Sequence, residues 1–257
     1  MEIIWYGFLG SLAAGMMTSI GALPVFLGRT ITPRTQDTLM GFTAGVMLAA
    51  SFFSLIIPSL EASERIYGGP FAPAAIVVAG IVIGVAVLMF LNERIPHEHF
   101  VMGREGPDAR SLKRVWLFVL AITIHNIPEG LAVGVGFGGG DIENGTTLAI
   151  CIGLQNIPEG LAVALALAVE GYSRMYAFGI ACLSGLVEPV AGLVGVTAVT
   201  YSEPLLPWGL AFAAGAMIYV ISHEIIPETH KRGYRNEATT GLTIGLVVML
   251  FLDVTLG

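Results

Sequence analysis

Charge is what this sequence has least of. Among 257 residues there are 12 Lys and Arg and 19 Asp and Glu, so charged residues make up 12% of the chain against 55% hydrophobic ones. With a mean hydropathy of +0.80, that scarcity excludes an ordinary soluble domain. The net charge of -7, with no basic stripe to offset it, gives no support to a nucleic-acid partner. Cysteine is nearly absent: Cys151 and Cys182 both fall in apolar stretches, so neither a disulfide framework nor a zinc ribbon is in view. The opening Met-Glu-Ile-Ile-Trp has no basic n-region and no small-residue cleavage site, so the first apolar stretch reads as a retained span.

What fills the chain instead is a series of apolar runs. Eight are about twenty residues or slightly longer, the length a hydrocarbon core requires. They lie near 3–27, 37–60, 71–92, 113–137, 145–169, 175–200, 205–228 and 239–256, in one transmembrane domain covering 1–257 with a cytoplasmic loop at 93–112. The few basic residues orient them. Arg29 and Arg34; Arg94, Arg104, Arg110, Lys113 and Arg114; Arg174; and Lys231, Arg232 and Arg235 all occupy the odd-to-even connections, leaving only Arg65 on the other side. That asymmetry predicts a multi-pass inner-membrane protein with both termini outside the cytoplasm.

Inside the fourth and fifth runs one motif is written twice. Residues 125–133 read His-Asn-Ile-Pro-Glu-Gly-Leu-Ala-Val and residues 155–163 read Gln-Asn-Ile-Pro-Glu-Gly-Leu-Ala-Val. The spacing puts His125 and Glu129 on one helix face, and likewise Gln155 and Glu159, with Asn126 and Asn156 beside them. Pro128 releases the carbonyl of Ile124 and Pro158 that of Leu154, which predicts two bent helices with free oxygens. Glu188, followed by Pro189, is a further carboxylate in an apolar setting. Polar groups can serve only to tie helices together. Ionisable groups at mid-span argue for more, since each costs at least about 2.5 kcal/mol at the bilayer centre. With no Lys or Arg in the central part of any span, the partner of these carboxylates is expected to be a bound cation or a proton.

A fainter repeat aligns Ser54-Leu-Ile-Ile-Pro-Ser-Leu-Glu61 with His223-Glu-Ile-Ile-Pro-Glu-Thr-His230. Upstream, Ala44-Gly-Val-Met47 resembles Ala214-Gly-Ala-Met217, with the spacing off by one. Both pairs of related spans run in opposite senses, and inverted repeats around Pro-broken helices are a signature of secondary transporters. Gly41 and Gly45, and the ridge Gly160, Ala164, Ala168, suit close helix packing.

Met47, Ser51, Ser54 and Glu61 share one face of the second span, where Ser54 and Glu61 are candidates for an inlet relay. Met47 is either a thioether ligand or packing. Cys151 reads as a small buried hydrophobe. His223, Glu224, Glu228 and His230 approach the cytoplasmic end, and His223, Glu224 and His230 are outlet-relay candidates. A metalloprotease helix is excluded there, because position 227 is Pro where that motif needs His. His97 and His99 either bind metal loosely or are solvated loop.

The paired His-Asn-x-Pro-Glu-Gly and Gln-Asn-x-Pro-Glu-Gly motifs resemble the hallmark of the ZIP (Zrt-, Irt-like) family of divalent-metal transporters, over essentially the whole chain. The start of the second motif is closest to the bacterial GufA-like branch. The resemblance implies an all-α membrane fold of eight helices in a 3+2+3 arrangement and a binuclear midplane site. His125, Glu129, Gln155, Glu159 and Met47 would form the first position. Asn126, Asn156, Glu159 and Glu188 would form the second, with Glu159 bridging and Glu129 joining it. It also implies an elevator-like slide and a possible homodimer. The expected function is uptake of Zn2+, and of Cd2+, Fe2+ or Mn2+, into the cytoplasm, with no separate cofactor and the lipid bilayer as surroundings. An intramembrane metalloenzyme would need an open zinc position and a water path. A metal sensor would call for a soluble signalling domain. Neither is suggested by a ligand-filled, duplicated motif.

Overall fold

The computed structural model describes residues 2–27, 32–69, 71–94, 97–99, 103–105, 114–169, 171–231 and 233–256; the side chains of 97–99, 103–105, 114–119, 121–122, 169 and 256 lie outside this description. The described chain is almost entirely helical. Helix α1 (Glu2–Ala22) ends in a 3-10 turn at Leu23–Leu27. Helix α2 (Pro33–Ala49) passes through a π-helical segment, Ala50–Ile56, into α3 (Ile57–Tyr67). Then follow α4 (Ala72–Arg94), α5 (Arg114–Gly138), α6 (Ile142–Val169), α7 (Arg174–Gly185), α8 (Val187–Tyr201) and α9 (Leu205–Val220). A second π segment, Ile221–Ile225, leads from α9 into α10 (Ile226–His230), and α11 (Arg235–Leu256) is last. In the connection after α4, strands β1 (His97–His99) and β2 (Gly103–Glu105) pair antiparallel, His97 opposite Glu105. Strands of three residues are too short to show as periodicity in a sequence.

Among the described residues seven helical rods are long and apolar enough to cross a membrane. Helix α5, with 25 residues, is as long, but part of its side chains lies outside the description. Apolar side chains such as Val78, Val82 and Phe251 point outward, as expected of a surface solvated by lipid.

The rods are not all continuous, and the interruptions have local causes. Pro58 and Pro227 sit in the first turns of α3 and α10, where each ring removes the hydrogen bond that Ser54 or His223 would accept. The π segments just before them absorb the mismatch. The slip in the repeat falls across these stretches: Met47 and Met217 are 170 residues apart, but Ser54 and His223 are 169 apart. The sixth rod breaks at Leu186, between α7 and α8. By contrast α5 and α6 keep their helical run through Pro128 and Pro158. Gly140, at φ +83°, turns α5 back into α6, and Asp141 Oδ1 accepts from the Asn144 amide at 3.0 Å to cap the new helix. This tight return sets the two motif copies side by side.

The rods pack in two groups. Helix α1 lies along α6, α5 along α8, and α1 also against α5 and α8. Separately, α2 lies along α11 and α4 along α9. Within each group, glycines bring backbones into contact. A methyl group at Gly160 would fall on the Thr18 carbonyl, one at Gly130 on the Glu188 carbonyl, and Gly15 and Gly185 meet each other's carbonyls. In the second group Gly45 meets Leu242, Gly245 meets Phe42, Gly84 meets Phe212 and Gly215 meets Ile81 in the same way. The groups touch each other more through side chains. An apolar cleft of about 280 Å³, lined by Gly80, Leu131, Val135, Val199, Trp208 and Phe212, lies where α4 and α9 face α5 and α8.

Candidate metal centre

The polar residues of the motif converge inside the first group. On α5 the side chains of Asn126 and Glu129 are buried, as are Gln155 and Asn156 on α6 and Glu188 on α8. Gln155 Nε2 donates to Glu129 Oε1 at 2.6 Å. Asn156 Nδ2 donates to Glu188 Oε1 at 2.7 Å and to the Ala14 carbonyl at 2.9 Å. Asn126 Nδ2 donates to the Ser184 carbonyl at 2.8 Å. Glu188 stands in the first turn of α8, where the helix dipole favours a carboxylate. Two cross-group contacts frame this cluster. His125 Nε2 meets Glu224 Oε2, and Thr43 Oγ1 donates to the Gln155 carbonyl at 3.4 Å. The other imidazole nitrogen, Nδ1, faces Glu159 Oε1 at 4.0 Å.

Amide nitrogens account for one oxygen each of Glu129 and Glu188 and leave the other without a hydrogen-bond partner among the described residues. Glu129 Oε2, Glu188 Oε2, Gln155 Oε1, Asn126 Oδ1 and Asn156 Oδ1 are buried without a hydrogen-bond partner among the described residues. Buried oxygens are rarely left so. Five of them on three adjoining helices form an acceptor-only set that fits a hard or borderline cation. Among the described residues no three His, Cys, Asp or Glu side chains already stand close enough to clasp an ion. The arrangement is a set of hydrogen-bonded pairs, the neutral amides Gln155 and Asn156 each donating to one carboxylate.

The remaining candidates make other contacts, with one exception. Met47 is buried in the hydrophobic core between the helices. Ser54 donates to Asp253 Oδ1 at 2.6 Å, and Glu61 is exposed on α3. His223 is exposed and stacks on Tyr219 with ring centroids 4.9 Å apart, while His230 Nδ1 is 2.8 Å from the Ile226 carbonyl. The side chains of His97 and His99 lie outside the described residues. The exception is Glu224, set against His125 itself. Sequence reasoning missed Asp253 as a partner of Ser54, although a lone carboxylate in the last apolar run was the available signal. It also missed the backbone carbonyls of Ala14 and Ser184, for which no signal exists.

Comparison with known proteins places this geometry in context. The family model described as ZIP zinc transporter matches residues 93–253. Zinc transporter GufA of Myxococcus xanthus is 48% identical over 252 residues, covering 98% of this chain and 99% of the relative. Zinc transporter ZIPB of Bordetella bronchiseptica is 48% identical over 254 residues, covering 99% and 82% respectively. Zinc transporter ZIP11 of Homo sapiens is 35% identical over 336 aligned positions, with 99% and 98% covered. These relatives are transporters rather than enzymes. A helical multi-pass chain with a duplicated Asn-x-Pro-Glu-Gly motif lining a buried acceptor set, matched end to end by such relatives, belongs to the ZIP zinc transporter family.

Proposed function

We propose that this protein carries Zn2+, and with it Cd2+, Fe2+ and Mn2+, into the cytoplasm through the centre built on α5, α6 and α8. The observation that carries the reading is the set of buried, unpartnered oxygens on Asn126, Glu129, Gln155, Asn156 and Glu188, beside a histidine and Glu159. In the binuclear form, His125, Glu129, Gln155 and Glu159 hold the first ion, with Met47 reaching it from α2. Asn126, Asn156, Glu159 and Glu188 hold the second, with Glu159 bridging and Glu129 joining it. Nitrogen and oxygen donors of this kind bind all four metals, since affinity order follows the metal more than the site. No thiolate takes part, so copper(I) is not favoured.

In the same reading the eight rods are eight spans in a 3+2+3 inverted repeat, bent at Pro128 and Pro158. Both termini lie outside the inner membrane, and the chain pairs as a homodimer. Ser54 and Glu61 lead ions inward from outside, and His97, His99, His223 and His230 receive them on the cytoplasmic side. The glycine-to-carbonyl contacts within each group, against the lighter side-chain contacts between groups, support alternating access. The group carrying the site slides as one body against α2, α4, α9 and α11, in the manner of an elevator.

The test is uptake of Zn2+ and Cd2+ into proteoliposomes by the wild type and by Glu159→Ala. The expected result is saturable wild-type uptake that is lost in a folded variant. Equal flux in both would mean that Glu159 is structural and the centre misassigned. Binding without flux would favour a receptor instead.

A further inference from the structure

Histidine can present only one nitrogen to a metal, and the choice is set by what the other nitrogen does. In His125 the two nitrogens have different neighbours. Nε2 contacts a carboxylate oxygen of Glu224, a buried residue on the π segment Ile221–Ile225 of the opposite group. Nδ1 looks into the centre, 4.0 Å from Glu159 Oε1. An ionised carboxylate only accepts, so opposite an ionised Glu224 the Nε2 side carries the proton and Nδ1 keeps its lone pair. Zinc bonds to nitrogen and carboxylate oxygen are each about 2.0–2.2 Å, so Nδ1 and Glu159 Oε1 stand within reach of one ion.

We propose that Glu224 is a positioning residue for cargo binding: it accepts the Nε2 proton of His125 and thereby turns Nδ1 toward the divalent ion, without touching the ion itself. This rests on the reading of His125 and Glu159 as ligands, and it gives Glu224 a role distinct from a stop on an outlet path. It is the carboxylate–histidine–metal arrangement, in which loss of the outer carboxylate typically costs about 10- to 100-fold in metal affinity. The π segment supplies the means, since its wider turn brings Glu224 inward while its neighbour His223 stays at the outer surface against Tyr219.

The experiment is a double-mutant cycle on the full-length protein in detergent, with Zn2+ affinity read by competition with a chromophoric chelator. Glu224→Ala is expected to weaken binding about 10- to 100-fold. Glu224→Gln is expected to recover most of the loss, because its amide oxygen still accepts from Nε2. In a His125→Ala background, Glu224→Ala should change nothing further. Wild-type affinity in Glu224→Ala overturns the proposal, and so does an additive loss in the His125→Ala background, which would make Glu224 a ligand in its own right. If His125→Ala itself binds normally, the failure lies with the centre and not with Glu224. A readout independent of how the variants fold is the nitrogen NMR spectrum of 15N-histidine-labelled wild type, with His125 identified by its loss in His125→Gln. Cd2+ should move the Nδ1 resonance of His125, and movement at Nε2 instead overturns the proposal.

Discussion

The two copies of the duplicated motif share a scaffold and differ in chemistry. Each Asn sends its amide to a backbone carbonyl of a neighbouring helix, Asn126 to Ser184 and Asn156 to Ala14. Each Gly lets that neighbour's backbone approach, Gly130 at Glu188 and Gly160 at Thr18. The paired partners are the same 170 residues apart in both cases. The copies part at the first motif position and at the residue facing each glycine. The α5 copy has His125 and a glycine facing the Glu188 backbone, whereas the α6 copy has Gln155 and a glycine facing the Thr18 backbone. Duplication thus accounts for the packing, and a handful of departures from it accounts for the chemistry.

Breaking the shared part should have the largest effect, and an equal one in both copies. Gly130→Val and Gly160→Val each drive side-chain atoms into a backbone carbonyl that cannot retreat as a flexible side chain would. Both should lose stability by about 3 kcal/mol or more, seen as loss of a monodisperse protein in size-exclusion chromatography and a lowered melting temperature. A marked difference between the two would mean that the internal symmetry of packing is only apparent.

Breaking the unshared part should spare the fold and reduce binding. His125→Gln makes the two copies identical, and Zn2+ affinity should then fall by at least the about 10- to 100-fold that loss of an outer-shell partner costs, with the melting curve little changed. Unaltered affinity would show that imidazole is not a ligand. The same variant sharpens the pH response. Ligands must be deprotonated to bind, so protonation competes with metal and affinity weakens as pH falls. For the wild type part of that decline should come from protonation of the imidazole itself. In His125→Gln that part of the decline should vanish, leaving only the carboxylates. A flat profile between pH 8 and 5 in the wild type would remove both kinds of ligand from the ion.

The smallest effect belongs to the amides. Asn126→Ala and Asn156→Ala each delete one hydrogen bond to a backbone carbonyl, worth about 1 kcal/mol. Thermal denaturation should show the loss to be larger for Asn156, which also donates to Glu188.

These contrasts also show what could be read without coordinates. Hydropathy marked apolar runs where rods lie, 113–137 beside Arg114–Gly138 and 37–60 beside the longer Pro33–Tyr67, because lipid solvation acts on average composition. It did not reveal the break at Leu186 or the π segments, since these are changes of hydrogen-bond register inside uniformly apolar runs. In the centre, the motif residues announced themselves by repetition and by charge in an apolar setting. The approach of Glu224 to His125, 99 positions away, is set by how two helix groups meet, and nothing local to either residue encodes it.

That contact has a thermodynamic consequence. His125 belongs to one helix group and Glu224 to the other, so the imidazole is oriented only while the groups keep this register. On the proposed ligation, any displacement that separates the pair weakens the grip on the ion by the free energy the contact contributes. Linkage requires the converse as well: an ion held by His125 stabilises this register by the same amount. Affinity and position then become two readings of a single coupling energy, and an ion moved to where Glu224 cannot follow is held less tightly for that reason alone.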